Sequence, residues 1–182
     1  INRDFINTME PSIDILISSN LERLLYLKSK DTNLIKELMF SLKNNKKYTI
    51  PNSLLTSIQN DFVGIYACEE EVKEAIKEVY DNDHYLIDPH TAVAYIATKK
   101  YDTKHKKVIL ATASPYKFPE SVYQALTGEE VDVYTAIEKL HDLTGMEISY
   151  PLKGIKDREI LHKGVIDRDA ILDTIADKIK EY

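Results

Sequence analysis

A chain of 182 residues, 43% hydrophobic and 30% charged with five glycines and six prolines, is long enough for one domain with a sizeable core and too balanced for a disordered or repetitive protein. Its formal charge of −6, with no Lys/Arg stripe interleaved with aromatics, leaves a phosphate backbone little to be attracted to, so no nucleic-acid partner is expected. The single cysteine, Cys68, excludes an internal disulfide, and no apolar run approaches the roughly 20 residues of a membrane span, so a cytoplasmic protein with no membrane partner is expected. The opening INRDFINTMEP lacks the basic-then-apolar layout of a signal peptide, and the chain begins as though cut from a longer one.

In chain order, SSNLERLLYLKS places Leu21, Leu24, Leu25 and Tyr26 at helical spacing behind Ser18, Ser19 and Asn20, which predicts a helix over about 20–28. DTNLIKELMFSLKNN predicts a second, begun by Asp31 or Thr32, and IPNSLLTSIQNDF a short third begun near Pro51. FVGIYA, 62–67, is a continuous apolar run too short for a good helix and reads as a strand, with Cys68 as a small buried filler. The helix of EEEVKEAIKEVYDN follows, its three leading glutamates complementing the positive end of the dipole.

DPHTAVAYIATKKY repeats the pattern, with Asp88 as cap and Pro89 at the first helical position. KVILATA reads as the next strand, FPESVYQALTG as a helix closed by Gly128, and VDVYTAIEKLHDLTG as one closed by Gly145. A last helix over 168–180, capped by Asp167, is expected to carry Ile171, Leu172, Ile175, Ala176 and Ile179 inward. Strands alternating with longer helices predict a single α/β domain over 1–182, helices packed on a small, mainly parallel sheet.

Sites in open α/β sheets gather beyond the carboxyl ends of strands, and two segments have that layout: ATASPYKF after a predicted strand, and DPHTA opening a helix. Simple turn and capping chemistry accounts for either on pattern alone. His84 and His90 with Asp83 and Asp88 match no standard zinc spacing, so no metal is expected. His141-Asp142 falls inside an amphipathic helix and reads as a surface pair. Lys117, between Tyr116 and Phe118, sits where desolvation could free an amine for Schiff-base chemistry, and five scattered glycines leave no phosphate cradle of the Gly-rich kind.

Three stretches together resemble threonine synthase: TMEPSIDILISSNLERLLY at 8–26, YLIDPHTAVAY at 85–95 and LATASPYKFPESV at 110–122. The resemblance covers most of the chain and places it at the family's C-terminal portion. Glu10, Ile13 and Ser114 depart from the family's usual residues, and the family's Schiff-base lysine and Gly/Asn-rich cofactor-phosphate loop, both upstream in the family, are not found here. The resemblance implies part of a fold-type-II pyridoxal-phosphate cofactor domain, from a lyase of threonine biosynthesis that converts O-phosphohomoserine and water to threonine and phosphate.

By the same resemblance this segment carries no catalytic lysine, which demotes Lys117. Thr112 becomes the contact to the cofactor's ring nitrogen and Ser114 a second cofactor-facing residue, while Lys117, Asp88, His90, Thr91, Ser19, Asn20 and Arg23 become candidate substrate-binding residues. The implied partners are O-phosphohomoserine and the missing N-terminal part of the same chain, without which the fragment is expected to hold no cofactor and to be inactive. Two alternatives stay open: a non-catalytic domain that binds a small anion, and part of another fold-type-II pyridoxal-phosphate enzyme.

Overall fold

The computed structural model describes residues 5–9, 14–161 and 163–181. Helices α1 (Ser19–Ser29), α2 (Thr32–Asn45) and α3 (Asn52–Gln59) come first. Asp31 starts α2 as expected, its Oδ1 accepting from the amides of Asn33 and Leu34 at 2.9 and 3.0 Å, which satisfies two of the donors that a helix start leaves open. Leu25 of α1, Ile35 and Leu38 of α2 and Leu54 of α3 meet in one small core, edged by Met39, Tyr48 and Ile58.

A larger helical cluster follows, made of α4 (Glu69–Asp83), α5 (Pro89–Lys100), α6 (Pro119–Thr127) and α7 (Val133–Thr144). The α4 helix packs on α5 and α6, and α6 packs on α7. The buried positions follow the helical period: Val72, Ala75, Ile76 and Val79 on α4, and Ala136, Ile137 and Leu140 on α7. Burying a side chain such as Ile76 or Leu140 completely stabilises the fold by about 2 kcal/mol each, so this cluster is where most of the stability resides.

The expected sheet is absent among the described residues. Among the described residues all regular structure is helical, which corrects the prediction of helices on a small, mainly parallel sheet. The reason is visible in both predicted strands. A strand exists only as one side of a hydrogen-bond ladder, and no backbone–backbone bond joins 63–67 or 107–113 to any other segment among the described residues. Their apolar side chains stand in solvent, Val108 at 83% and Leu110 at 76% exposure, with Val63 and Tyr66 likewise exposed. Cys68, expected as a buried filler, is also exposed, immediately ahead of α4.

The chain divides into two compact units, one ending at Glu147 and one beginning at Ile148. The second holds two short 3-10 turns, Ile155–Asp157 and Arg168–Ala170, and helix α8 (Ile171–Lys180). Its helix is strongly amphipathic, yet Ile171, Leu172, Ile175, Ala176 and Ile179 are all exposed, so the expected inward face has no layer of its own unit to cover it.

Candidate functional site

The two polar loops singled out in the sequence come together around one cavity of about 510 Å³. Its walls are the C-terminal end of α4 with residues 84–88, Thr91 in the first turn of α5, residues 111 and 113–115, and the turn 144–146 that closes α7. The lining includes no Lys or Arg. Tyr80, His84 and Tyr85 supply aromatic surface, and Thr91, Ser114 and Thr144 supply hydroxyls.

Asp88 is the best-defined member. It is 1% exposed, and its Oδ1 accepts from the His90 amide at 3.0 Å and the Thr91 amide at 3.4 Å, while Oδ2 accepts from the Thr91 hydroxyl. The His90 ring Nδ1 lies 3.2 Å from the same carboxylate, and since a carboxylate accepts, that nitrogen donates. A buried carboxylate is tolerated because these donors replace its water, and Pro89 at the first helical position has no amide to satisfy. The His90 ring also rests against Phe118, centroids 4.9 Å apart.

The 110–118 loop is fixed by a 3-10 turn, Pro115–Lys117, with the Ser114 hydroxyl accepting from the Tyr116 amide at 3.2 Å. Ser114 lines the cavity. Thr112 is exposed between two lining residues, Ala111 and Ala113, and its hydroxyl has no hydrogen-bond partner among the described residues. Lys117 is exposed outside the lining, its ammonium 5.1 Å from the Phe118 ring centroid, so Lys117 and His90 both border Phe118. Burial, and then the charge of Glu147, push the Tyr116 phenol above its ordinary value.

The α1 candidates lie elsewhere. Ser19, Asn20 and Arg23 are exposed, Arg23 donates to the Asn20 side chain, and none of the three lines the cavity. Glu10 and Ile13 lie outside the described residues. No group of three or more His, Cys, Asp or Glu among the described residues is arranged to hold a metal ion. Sequence reasoning missed Tyr80, Tyr85, Tyr116 and the turn 144–146 as neighbours of the site. Gly145 signalled the turn, but nothing local says which loops it meets.

Comparison with known proteins bears on the same region. Residues 91–155 match the family model described as threonine synthase, C-terminal. Human threonine synthase-like 1 is 36% identical over 153 residues, covering 77% of this chain, and the threonine synthase of Saccharomyces cerevisiae is 36% identical over 140 residues, covering 66%. The chain spans only 21% and 27% of the length of those two relatives. Among solved structures, yeast threonine synthase superposes with a TM-score of 0.76 at 26% identity, over 98% of this chain and 38% of that one. The pyridoxal-phosphate-bound threonine synthase of Brucella melitensis gives 0.64 at 34% identity, over 85% and 34%.

Proposed function

Because this chain corresponds to the C-terminal portion of the threonine synthases, we propose that it supplies the ring-nitrogen side of a pyridoxal-phosphate site in a cytoplasmic lyase that converts O-phosphohomoserine and water to threonine and phosphate. The observation that carries this reading is the exposed, unpartnered hydroxyl of Thr112, at the rim of a cavity with aromatic and hydroxyl walls. These residues fit the ring end of the cofactor: a flat heteroaromatic suits the aromatic surface, and a ring nitrogen needs a single donor. They do not fit its phosphate, which wants cations or clustered amides that this lining lacks.

Pyridoxal phosphate, when bound, supplies an electron sink for breaking bonds beside the substrate's amino-bearing carbon. This chain's part is to set that sink's strength and to hold the substrate. A neutral Thr112 hydroxyl donates to the ring nitrogen without protonating it, unlike an acid. Ser114, whose lone pair serves the Tyr116 amide, keeps its own proton for a second contact. Asp88 and Thr91 hold the start of α5 at the cavity wall; Lys117, against Phe118, offers a cationic contact to a leaving phosphate, while the substrate candidate His90, its Nδ1 proton given to Asp88, packs on the same Phe118 ring outside the lining. Ser19, Asn20 and Arg23 reach substrate only from their separate position on α1.

The lysine that links cofactor to protein and the donors for the cofactor phosphate come, on this reading, from the N-terminal part of the enzyme, and the chain alone is inactive. The test is to mix the purified chain with pyridoxal phosphate and O-phosphohomoserine. No phosphate release is expected. Release, together with the visible absorbance of a cofactor bound covalently to a lysine, overturns the reading.

A further inference from the structure

Helices α6 and α7 end in the same sequence device. Leu126-Thr127-Gly128-Glu129 and Leu143-Thr144-Gly145-Met146 each place a glycine in the left-handed region, φ 79° and 68°, with its amide bonded 2.8 Å back to the carbonyl of Gln124 or His141. In each, the threonine hydroxyl donates to the carbonyl one turn earlier, at 2.9 and 2.6 Å, and accepts from the amide just past the glycine, at 3.1 and 3.2 Å. The local hydrogen bonding of the two ends is therefore matched.

They differ in what happens next. The Met146 carbonyl accepts from the Tyr116 phenol at 2.6 Å and from His141 Nδ1 at 2.9 Å, whereas no hydrogen bond to the Glu129 carbonyl exists among the described residues. Tyr116 is 3% exposed and sits in the 3-10 turn directly after Ser114, so its hydroxyl ties one wall of the cavity to another. Helix capping does not require that bond, since the α6 end is complete without one.

We propose that Tyr116 is a positioning residue for the cavity: its phenol, with His141 as a second donor, clamps the Met146 carbonyl and so fixes the spacing between the Ser114–Pro115 wall and the Thr144–Met146 wall. That the spacing serves a cofactor ring rests on the reading of the preceding subsection, but the clamp itself is a property of this chain without ligand. Neutrality of the phenol, which burial favours, keeps it a donor throughout the physiological range.

Amide hydrogen exchange on the intact chain tests this directly. In the wild type, Gly145 and Met146 are expected to be protected at least about fivefold more than Gly128 and Glu129, after correction for intrinsic rates, because two additional hydrogen bonds, from Tyr116 and His141, hold their turn. Tyr116→Phe keeps the ring and removes one donor, so it should abolish the Tyr116 share of that difference and keep that of His141, while leaving exchange at Ile76 in the core of α4 unchanged. Tyr123→Phe, which removes a buried phenol of α6 that bonds Glu129, is the control and should not alter Gly145 or Met146. A merely structural tyrosine would accelerate α4 and the 144–146 turn alike.

Equal protection of the two helix ends in the wild type overturns the clamp, even should Tyr116→Phe fail to fold. A Tyr116→Phe chain that loses no protection at Gly145 and Met146 overturns it as well. Phosphate release by the chain alone would overturn the functional reading and leave the exchange result standing, so the two failures are distinct.

Discussion

At the scale of the residue, Asp88 shows how one side chain serves fold and site together. Its buried carboxylate closes the first turn of α5 and also forms cavity wall, so its removal strips an N-cap and leaves the Thr91 hydroxyl without its acceptor in a dry place. Asp88→Ala is expected to destabilise the chain by about 2 kcal/mol, with Asp88→Asn recovering part of the loss, as read from urea unfolding midpoints. A loss within about 0.5 kcal/mol would mean that water replaces the carboxylate there. The capping role was legible in the sequence because Asp-Pro before an apolar run is local chemistry. Its place in one cavity wall with residues 111, 113–115 and 144–146 was not, since that joins positions far apart in the chain.

At the scale of the element, helices were readable and strands were not. Helical hydrogen bonds close within four residues, so caps at Asp31 and Asp88 and glycine stops at Gly128 and Gly145 announce themselves, although the cap expected at Asp167 makes no capping bond and α8 begins only at Ile171. A strand's bonds close on another segment, and the apolar runs 63–67 and 107–113 find none among the described residues. The glycine stops give a direct test. A Cβ built at Gly145 meets nothing within 4 Å, so its constraint is the φ of 68° alone. Gly145→Ala should cost about 1 kcal/mol in thermal or urea unfolding, with the spectrum of the native state preserved. A neutral substitution would show that the turn relaxes to negative φ, which would also dissolve the alignment of the Met146 carbonyl with Tyr116.

At the scale of the whole molecule, the buried side chains all come from α1 through α7 and the loops between them, while many large apolar side chains remain on the surface. No helix of the described residues is long and apolar enough to cross a membrane. Three phenols in this fold, Tyr48, Tyr95 and Tyr116, are held above the ordinary value of 10.0, by burial first and then by nearby carboxylates. Below that value both folded and unfolded chains carry the proton and nothing is lost. As pH rises past it, the unfolded chain ionises first, so stability falls until the folded phenols ionise too. Denaturant melts between about pH 9 and pH 11 should show this decline, and Tyr116→Phe should make it shallower. A stability flat across that window would refute the assignment.

By itself the sequence determined where the helices lie, the ends at Asp31, Asp88, Gly128 and Gly145, the polar character of the 88–92 and 110–118 loops and, through three matching stretches, the family. Only the tertiary structure decided that those loops share a cavity with the end of α7, and that among the described residues Thr112 stands unpartnered at its rim, Ser19, Asn20 and Arg23 lie apart, and no strand of the expected sheet forms. The physical reason is the same in each case. Capping and helical periodicity are settled within a few residues, whereas a ladder, a cavity wall or a buried face needs a partner that the local sequence does not name.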